Sequence, residues 1–279
     1  MNIQNMMMPI DQYEEHGYSI FKGFFNDEEI YLLNKHVNRI YRQWLSENEA
    51  DIFNNKLVNM HSLTSPEYFQ GASYQRVAFF KLIGSVKLTK ALKSMFGSDI
   101  HFHNTQLFFN PSNVERLPYW HRDMQYSPIE DAVQSNEQSK MLSLHVRIPL
   151  VEEQGIEVVT GTHRRWDTEL ERNVRFELNG HKNSDSLPNS ELIDLVPGDI
   201  LIFDAQMIHR GNYELNSARK AFDLCVGKYH PLASDFLDAR VLPTKAELDS
   251  IQNDQWYKLA REITANKSSK KDAQKRASS

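Results

Sequence analysis

The stretch from Leu142 to Leu150 constrains the fold more than any other part of this 279-residue sequence. Apolar residues occupy every second position there, and a period of two places them on one face of a β-strand. The apolar positions are Leu142, Leu144, Val146, Ile148 and Leu150, and the intervening ones are Ser143, His145, Arg147 and Pro149. Apolar runs at 156–159, 200–203 and 222–229 add further short strands. Many short strands predict a sandwich or a barrel.

Two amphipathic helices are predicted ahead of these strands. Asn26 and Glu29 have the spacing of a capping box at the start of the first helix. Its apolar positions recur at helical spacing: Ile30, Leu33, Val37, Ile40, Tyr41 and Trp44. The second helix is predicted from near Ser85 to Phe96 and ends at Gly97. Helices followed by many strands predict a mainly β fold with flanking helices, built on a double-stranded β-helix, the cupin-like jelly-roll barrel.

The length of the chain allows one core. Double-stranded barrels commonly reach this size undivided, so we expect a single domain over residues 1–265. Residues 266–279 contain five basic residues and one acidic residue with no apolar face. This composition predicts a basic, disordered tail.

Composition favours a small-molecule partner. Lys and Arg number 32 against 37 Asp and Glu, and the net charge of −5 gives no overall attraction to nucleic acid. The single cysteine, Cys225, cannot form an internal disulfide, and no run approaches the roughly 18 apolar residues needed to cross a bilayer. Residues 1–9 lack the pattern of a secretory signal. We expect a cytoplasmic monomer or homodimer that binds neither nucleic acid nor membranes.

Candidate metal ligands occur in the segment YWHRDMQY. His121 and Asp123 stand two apart, so an extended backbone would place both side chains on one face and Arg122 on the other. With 11 His and 17 Asp in the chain, about 0.7 such pairs arise by chance, so the pair needs support. The context of His209 supplies it, because this residue follows a Pro-Gly turn and a short apolar run in PGDILIFDAQMIHRG.

Two imidazoles and one carboxylate can hold Fe(II) and leave other coordination positions open, as in non-haem iron oxygenases. Catalytic zinc also uses such a set, so a zinc hydrolase and a non-catalytic ligand-binding barrel remain alternatives. Arg219 lies ten residues after His209 and opens the next alternating run. Its planar guanidinium suits a carboxylate. A dicarboxylate that chelates iron at its other end, namely 2-oxoglutarate, would need such an anchor.

Several ordered blocks resemble the phytanoyl-CoA dioxygenase family of Fe(II)- and 2-oxoglutarate-dependent oxygenases, over about residues 11–229. The blocks are DQYEEHGYSIFKGFFNDEEIYLL, YWHRDMQY, VVTGTHRR, PGDILIFDAQMIHRG and NSARKAF. The resemblance implies that His121, Asp123 and His209 ligate Fe(II). It also implies that Arg219 binds the far carboxylate of 2-oxoglutarate and that O2 is the other co-substrate.

The resemblance further implies roles on the strand HFHNTQLFFNP, where Asn104 and Gln106 share a face and would contact the co-substrate. It implies hydroxylation of an unactivated C–H bond of a small-molecule natural product or metabolite, with release of succinate and carbon dioxide. An acyl-CoA 2-hydroxylase of the phytanoyl-CoA type is the alternative within the family. Asp123 argues against halogenation, because related halogenases carry a small residue in place of the metal carboxylate.

Three positions depart from the family's pattern. Gln154 and Gly155 stand where the family often has Asn-Gly, and Thr162 takes the serine place in its Gly-Ser-His turn. Arg147 is unusually charged for its strand position. His145 and Arg147 share a face of their strand, and the sequence leaves open whether that face lines the pocket or meets solvent.

Overall fold

The computed structural model describes residues 8–55, 57–113, 115–216, 218–234 and 236–277. The strands are β1 (Tyr18–Phe21), β2 (Asn59–His61), β3 (His101–Phe109), β4 (Ser143–Pro149), β5 (Glu153–Val159), β6 (Ser190–Leu195), β7 (Ile200–Asp204), β8 (His209–Gly211) and β9 (Lys220–Gly227). The helices are α1 (Pro9–His16), α2 (Asp27–Asn55), α3 (Ser73–Ile83), α4 (Val86–Phe96), α5 (Asp131–Glu137), α6 (Glu169–Arg175), α7 (Pro231–Ser234), α8 (Lys245–Leu248) and α9 (Gln255–Ala277). None of the helices described is both long and apolar enough to cross a membrane.

The strands form two antiparallel sheets. Six strands make the larger sheet, in the order β1-β7-β4-β9-β3-β2, and three make the smaller sheet, in the order β6-β5-β8. A cavity of about 590 Å³ is lined by both sheets, with His145 and Phe203 from the larger and Ile156 and His209 from the smaller. Two antiparallel sheets around one cavity, with helices outside, form the jelly-roll that the sequence predicts, and the predicted fold class is confirmed.

Strand β4 is buried on both faces. It pairs with β7 on one side and β9 on the other. Its apolar side chains, Leu144, Val146 and Ile148, belong to the main hydrophobic core, which they share with the helices. The side chains of His145 and Arg147 line the cavity, where the two residues are only 4% and 2% exposed. The polar face of this strand therefore lines the pocket and does not meet solvent.

Helices α2, α3, α4 and α9 pack against the outer face of the larger sheet. Helix α2 begins with the predicted capping box, in which Asn26 and Glu29 each donate a backbone N–H to the other's side chain at 2.9 Å. Helix α4 spans Val86–Phe96, close to the prediction, with Ser85 as its N-cap and Gly97 at its end. Fully buried side chains in this core include Val37, Ile40, Phe79, Phe80, Leu88 and Leu92.

The carboxy-terminal segment differs from the sequence expectation. Helix α9 is anchored at its start, where Trp256 and Tyr257 are buried and the Tyr257 hydroxyl donates to the carbonyl oxygen of Phe80 at 2.9 Å. The helix continues to Ala277, through most of the segment 266–279 for which composition predicts disorder. Lys, Ala, Gln and Arg are good helix formers, so a helix nucleated by packing can extend through them. Residues 278–279 lie outside the described residues.

Asp204, at the end of β7, is a buried acid with 5% of its surface exposed. It accepts hydrogen bonds from the Tyr13 hydroxyl at 2.6 Å and from the backbone N–H of Gln206 at 2.7 Å. Burial outweighs these contacts and raises the pKa of Asp204 to about 6. Compared with the unfolded chain, the folded protein therefore favours the protonated form of the Asp204 carboxyl.

We predict that the contribution of Asp204 to the free energy of unfolding decreases as the pH rises. A carboxyl with a raised folded pKa stabilises the fold below its unfolded pKa and loses that contribution as the pH rises through about 6. Asp204→Asn does not titrate; its amide oxygen can accept from the Gln206 N–H, and its NH2 can donate to the Tyr13 hydroxyl oxygen, which reverses that hydrogen bond. Its stability relative to wild type should therefore grow by on the order of 2 kcal/mol between about pH 4 and about pH 8. Urea unfolding at both pH values measures this, and an unchanged difference would contradict the assignment.

Candidate metal centre

Two histidines are brought together by backbone pairing at the edge of the smaller sheet. His121 and His209 form an antiparallel bridge in which each N–H donates to the other's carbonyl oxygen at 3.0 Å. Nδ1 of His121 lies 3.2 Å from the carbonyl oxygen of Tyr119, and Nδ1 of His209 lies 3.0 Å from that of Met207. A proton on each Nδ1 satisfies these carbonyls and leaves both Nε2 lone pairs for a metal.

Asp123 adds a carboxylate to the two rings. It begins a 3-10 turn, and its backbone N–H donates to the carbonyl oxygen of Ala205 at 3.1 Å. Its Oδ1 lies 3.7 Å from Nε2 of His121 and 3.4 Å from Nε2 of His209. The three ligand atoms lie within 4.8 Å of one another, and all three residues line the cavity. Two imidazole nitrogens and one carboxylate oxygen around one point fit a divalent metal.

The charges of the ligands also suit a metal. Burial, together with the neighbouring ring of His209, lowers the pKa of His121 to about 3, so this ring is neutral. Burial alone would raise the pKa of Asp123, but the charge and hydrogen bond of His145 hold it well below its usual range. Neutral imidazole and ionised carboxylate are the metal-binding forms. Arg122 lies on the other side of the chain, as expected, where it donates to Asp167 at 2.9 Å.

His145 connects the metal carboxylate to the larger sheet. Its Nε2 lies 2.7 Å from Oδ2 of Asp123, and its Nδ1 lies 3.0 Å from Oδ2 of Asp223. Carboxylate oxygens only accept, so each ring nitrogen donates and the ring is an imidazolium. Burial opposes this charge, but the surrounding negative groups outweigh it and hold the pKa of His145 well above its usual value. Because His145 takes Oδ2, Oδ1 of Asp123 is left for the metal.

Arg219 lines the same cavity just before β9 and is 5% exposed. Its Nε donates to Oε1 of Glu153 at 2.9 Å. Among the described residues, Nη1 of Arg219 has no hydrogen-bond acceptor. A buried guanidinium with an unused N–H in a cavity fits an anionic ligand.

Sequence reasoning missed Glu153 and the roles of Gly211 and Gly155, two glycines that make room for this arrangement. A Cβ on Gly211 would lie 2.6 Å from Nη1 of Arg219, so the guanidinium packs directly over the β8 backbone. A Cβ on Gly155 would lie 1.9 Å from Cγ of Glu153, so that side chain folds over Gly155. The glycine two residues after His209 was the available signal, because a glycine in a strand often marks a close approach of another group to the backbone.

Asn104 and Gln106 both face the cavity from β3. The Asn104 amide donates to Oγ of Ser62 at 3.1 Å, and its oxygen accepts from the backbone N–H of Thr105 at 2.8 Å. The Gln106 amide lies 3.5 Å from Sγ of Cys225. Their location agrees with the sequence expectation, while their present hydrogen bonds are to protein groups.

A family model for phytanoyl-CoA dioxygenase (PhyH) matches residues 13–221, three quarters of the chain. The protein belongs to the phytanoyl-CoA dioxygenase family. The resemblance inferred from the sequence blocks is therefore confirmed, and the family places the protein among Fe(II)- and 2-oxoglutarate-dependent dioxygenases. This assignment agrees with the His-Asp-His donor set. It favours a dioxygenase over the two alternatives left open by the sequence, a zinc hydrolase and a non-catalytic barrel.

Individual relatives are distant. An ectoine dioxygenase from Bordetella bronchiseptica is 20% identical over 232 residues, which cover 74% of this chain and 70% of the relative. AviO1 from Streptomyces viridochromogenes superposes with a TM-score of 0.54 at 14% identity, covering 79% of this chain and 93% of that one. EctD from S. alaskensis, solved with 2-oxoglutarate and 5-hydroxyectoine, gives a TM-score of 0.54 at 16% identity, and the match covers 82% of this chain and 78% of EctD. At these identities the structures support the fold alone.

We predict that His145 increases the metal affinity of the site by holding Asp123. In His145→Phe, the ring can keep its stacking against Phe203, 5.1 Å away, but the hydrogen bonds are lost. Fe(II) affinity should fall by about 10- to 100-fold, the usual effect of removing a hydrogen bond to a metal ligand. His145→Gln, which can still donate to Asp123, should lose less. Anaerobic titration against a competing chelator measures this, and wild-type affinity in a folded His145→Phe would contradict it.

Proposed function

We propose that this protein is an Fe(II)- and 2-oxoglutarate-dependent dioxygenase that hydroxylates an unactivated C–H bond of a small-molecule natural product or metabolite. Succinate and carbon dioxide are the accompanying products. The observation that carries the proposal is one cavity that holds both the convergent ligand atoms of His121, Asp123 and His209 and the unused N–H of Arg219.

The protein's part in the proposed reaction begins with the metal ligands. Nε2 of His121, Nε2 of His209 and Oδ1 of Asp123 would hold Fe(II), with all three residues facing the cavity in which the 2-oxo acid and O2 would bind. When bound, the iron supplies oxygen activation coupled to oxidative decarboxylation of 2-oxoglutarate. The backbone bridge between the histidines keeps both rings in place without the metal.

Arg219 orients the co-substrate in this proposal. Its Nε is fixed by Glu153 and its guanidinium lies on Gly211, so Nη1 is presented in a set direction. A charge-assisted hydrogen bond from Nη1 to the far carboxylate of 2-oxoglutarate would contribute about 1.5 to 3 kcal/mol to co-substrate binding. Asn104 and Gln106 remain proposed co-substrate contacts, because both side chains reach the same cavity.

Shape and charge favour a compact substrate over an acyl-CoA. Tyr119, Tyr126 and Phe203 give the cavity aromatic walls that can orient a small molecule and exclude water. The two arginines among the described lining residues, Arg147 and Arg219, are both paired with carboxylates of the protein. Arg219 is assigned to the co-substrate in this proposal, and the described lining residues include no lysine, so little positive charge is left for the phosphates of CoA. EctD, a structural relative with bound 5-hydroxyectoine, gives support by analogy for a small metabolite.

We predict that the metal ligands are essential. His121→Ala and Asp123→Ala should lose Fe(II) binding and all succinate formation from 2-oxoglutarate, because each removes a ligand. His181→Ala is the matched control, since this half-buried histidine pairs with Asp185 and does not line the cavity. Succinate assay and anaerobic Fe(II) titration provide the two measurements. Full activity in either ligand variant would remove the metal assignment.

We predict that Arg219 serves the co-substrate and not the metal. Arg219→Ala should raise the Kd for 2-oxoglutarate by roughly tenfold or more, the loss expected for one charge-assisted hydrogen bond. Fe(II) affinity should stay near the wild-type value. Arg210→Ala is the control, because Arg210 pairs with Glu157 at 2.7 Å and does not line the cavity. Equal losses of metal and co-substrate binding would show that Arg219 is structural.

A further inference from the structure

Arg147 is a second buried arginine in the cavity wall. It lies on β4, two residues after His145 and opposite Asp223 of β9 in the strand register. Its Nε and Nη2 donate to the two carboxylate oxygens of Asp223 at 2.9 and 3.1 Å. This bidentate ion pair accounts for two of the three guanidinium nitrogens.

The third nitrogen of Arg147 is unused. Its Nη1 is buried and has no hydrogen-bond acceptor among the described residues; Oε1 of Glu153 lies 3.7 Å away, beyond hydrogen-bonding distance. The same Oε1 accepts from Nε of Arg219 at 2.9 Å, and Nη1 of Arg219 is also without an acceptor. Two neighbouring guanidinium groups therefore each keep one buried, unsatisfied N–H group, although such groups are costly to leave unpaired.

The two guanidinium groups share one aromatic support. Cζ of Arg147 lies 4.8 Å from the ring centroid of Phe108, and Cζ of Arg219 lies 5.4 Å from the same centroid. All three residues line the cavity. Both guanidinium groups also lie beside Oε1 of Glu153, which is 3.7 Å from Nη1 of Arg147 and 2.9 Å from Nε of Arg219, so the two groups are neighbours in one wall of the cavity.

Ion pairs connect the metal ligand to the anchor, and we call this series the charge chain. Its members are Asp123, His145, Asp223, Arg147, Glu153 and Arg219, each within 4 Å of the next. Nη1 of Arg147 and Nη1 of Arg219 lie at one end of this chain, and no described carboxylate accepts a hydrogen bond from either. An anionic group bound at this end would supply the missing acceptor.

We propose that Arg147 is a second arginine of the co-substrate subsite, whose Nη1 donates together with Nη1 of Arg219 to the far carboxylate of 2-oxoglutarate. This inference rests on the proposed function. It assigns a positioning role to the residue whose charge is unusual at that strand position. A two-arginine clamp discriminates in favour of dicarboxylic 2-oxo acids, because a monocarboxylic 2-oxo acid has no group for it to bind.

The test compares two 2-oxo acids on the Fe(II) protein under argon. 2-Oxoglutarate and 2-oxopentanoate both chelate iron, but only the first carries the far carboxylate. Their Kd values are measured from the visible charge-transfer band, without turnover. In the paired variant Arg147→Gln with Asp223→Asn, which leaves no unpaired charge, Kd for 2-oxoglutarate should rise about tenfold and Kd for 2-oxopentanoate less than about twofold.

Two further variants keep the test decisive. Arg147→Lys retains the charge and a contact to Asp223 but loses the forked donors. Its Kd for 2-oxoglutarate should therefore rise, by less than in the paired variant, while its Kd for 2-oxopentanoate stays the same. This single variant provides the test if the paired variant does not fold. Arg76→Gln is the matched control, because Arg76 is a buried arginine that pairs with Glu247 at 2.6 Å outside the cavity. It should lower the melting temperature and leave the ratio of the two Kd values unchanged.

The outcomes separate this inference from the proposed function. If the wild-type Fe(II) protein binds neither 2-oxo acid, the proposed function fails. If it binds 2-oxoglutarate and folded Arg147 variants bind it equally well, or lose both 2-oxo acids equally, then Arg147 is only a structural partner of Asp223. A loss confined to 2-oxoglutarate supports the two-arginine clamp.

Discussion

The backbone bridge between His121 and His209 is the contact on which the rest of the site depends. It joins a segment outside the regular strands to the edge of β8, and the ring Nδ1 atoms bond to nearby carbonyl oxygens. Both Nε2 atoms are therefore oriented before any metal binds. Asp123 follows two residues later and is held by its own backbone bond to Ala205. The edge of the smaller sheet and the segment bridged to it thus provide all three candidate ligands in a preformed arrangement.

The larger sheet contributes charge. The charge chain runs from Asp123 through His145, Asp223 and Arg147 on β4 and β9, and then through Glu153 of β5 to Arg219. Acidic and basic side chains alternate in space along this chain, so each charge has a neighbour of opposite sign. This arrangement lets the interior of a jelly-roll contain many ionised groups. His145, Arg147 and Asp223 of the larger sheet, together with Glu153 of the smaller sheet, thus support the metal ligand and the proposed anion subsite.

The sequence predicts the local features well and the long-range ones poorly. The alternation around β4 and the capping box of α2 are set by neighbouring residues, so both are visible in the sequence. The motif blocks identify the candidate ligands and Arg219, but not the partner of Arg219, because Glu153 lies 66 positions earlier in the chain. Whether His145 and Arg147 face the cavity depends on what covers each side of the sheet. The course of residues 266–277 depends on a helix anchored by Trp256 and Tyr257, which composition alone does not reveal.

The central claim is that one iron ion binds between three named atoms in the cavity. Anomalous diffraction at the iron absorption edge, from crystals loaded anaerobically with Fe(II) and 2-oxoglutarate, tests it most directly. The account predicts a single strong peak bounded by Nε2 of His121, Oδ1 of Asp123 and Nε2 of His209, with the co-substrate reaching from it to Arg219. A peak held by other side chains, or a co-substrate directed away from Arg219, would contradict it.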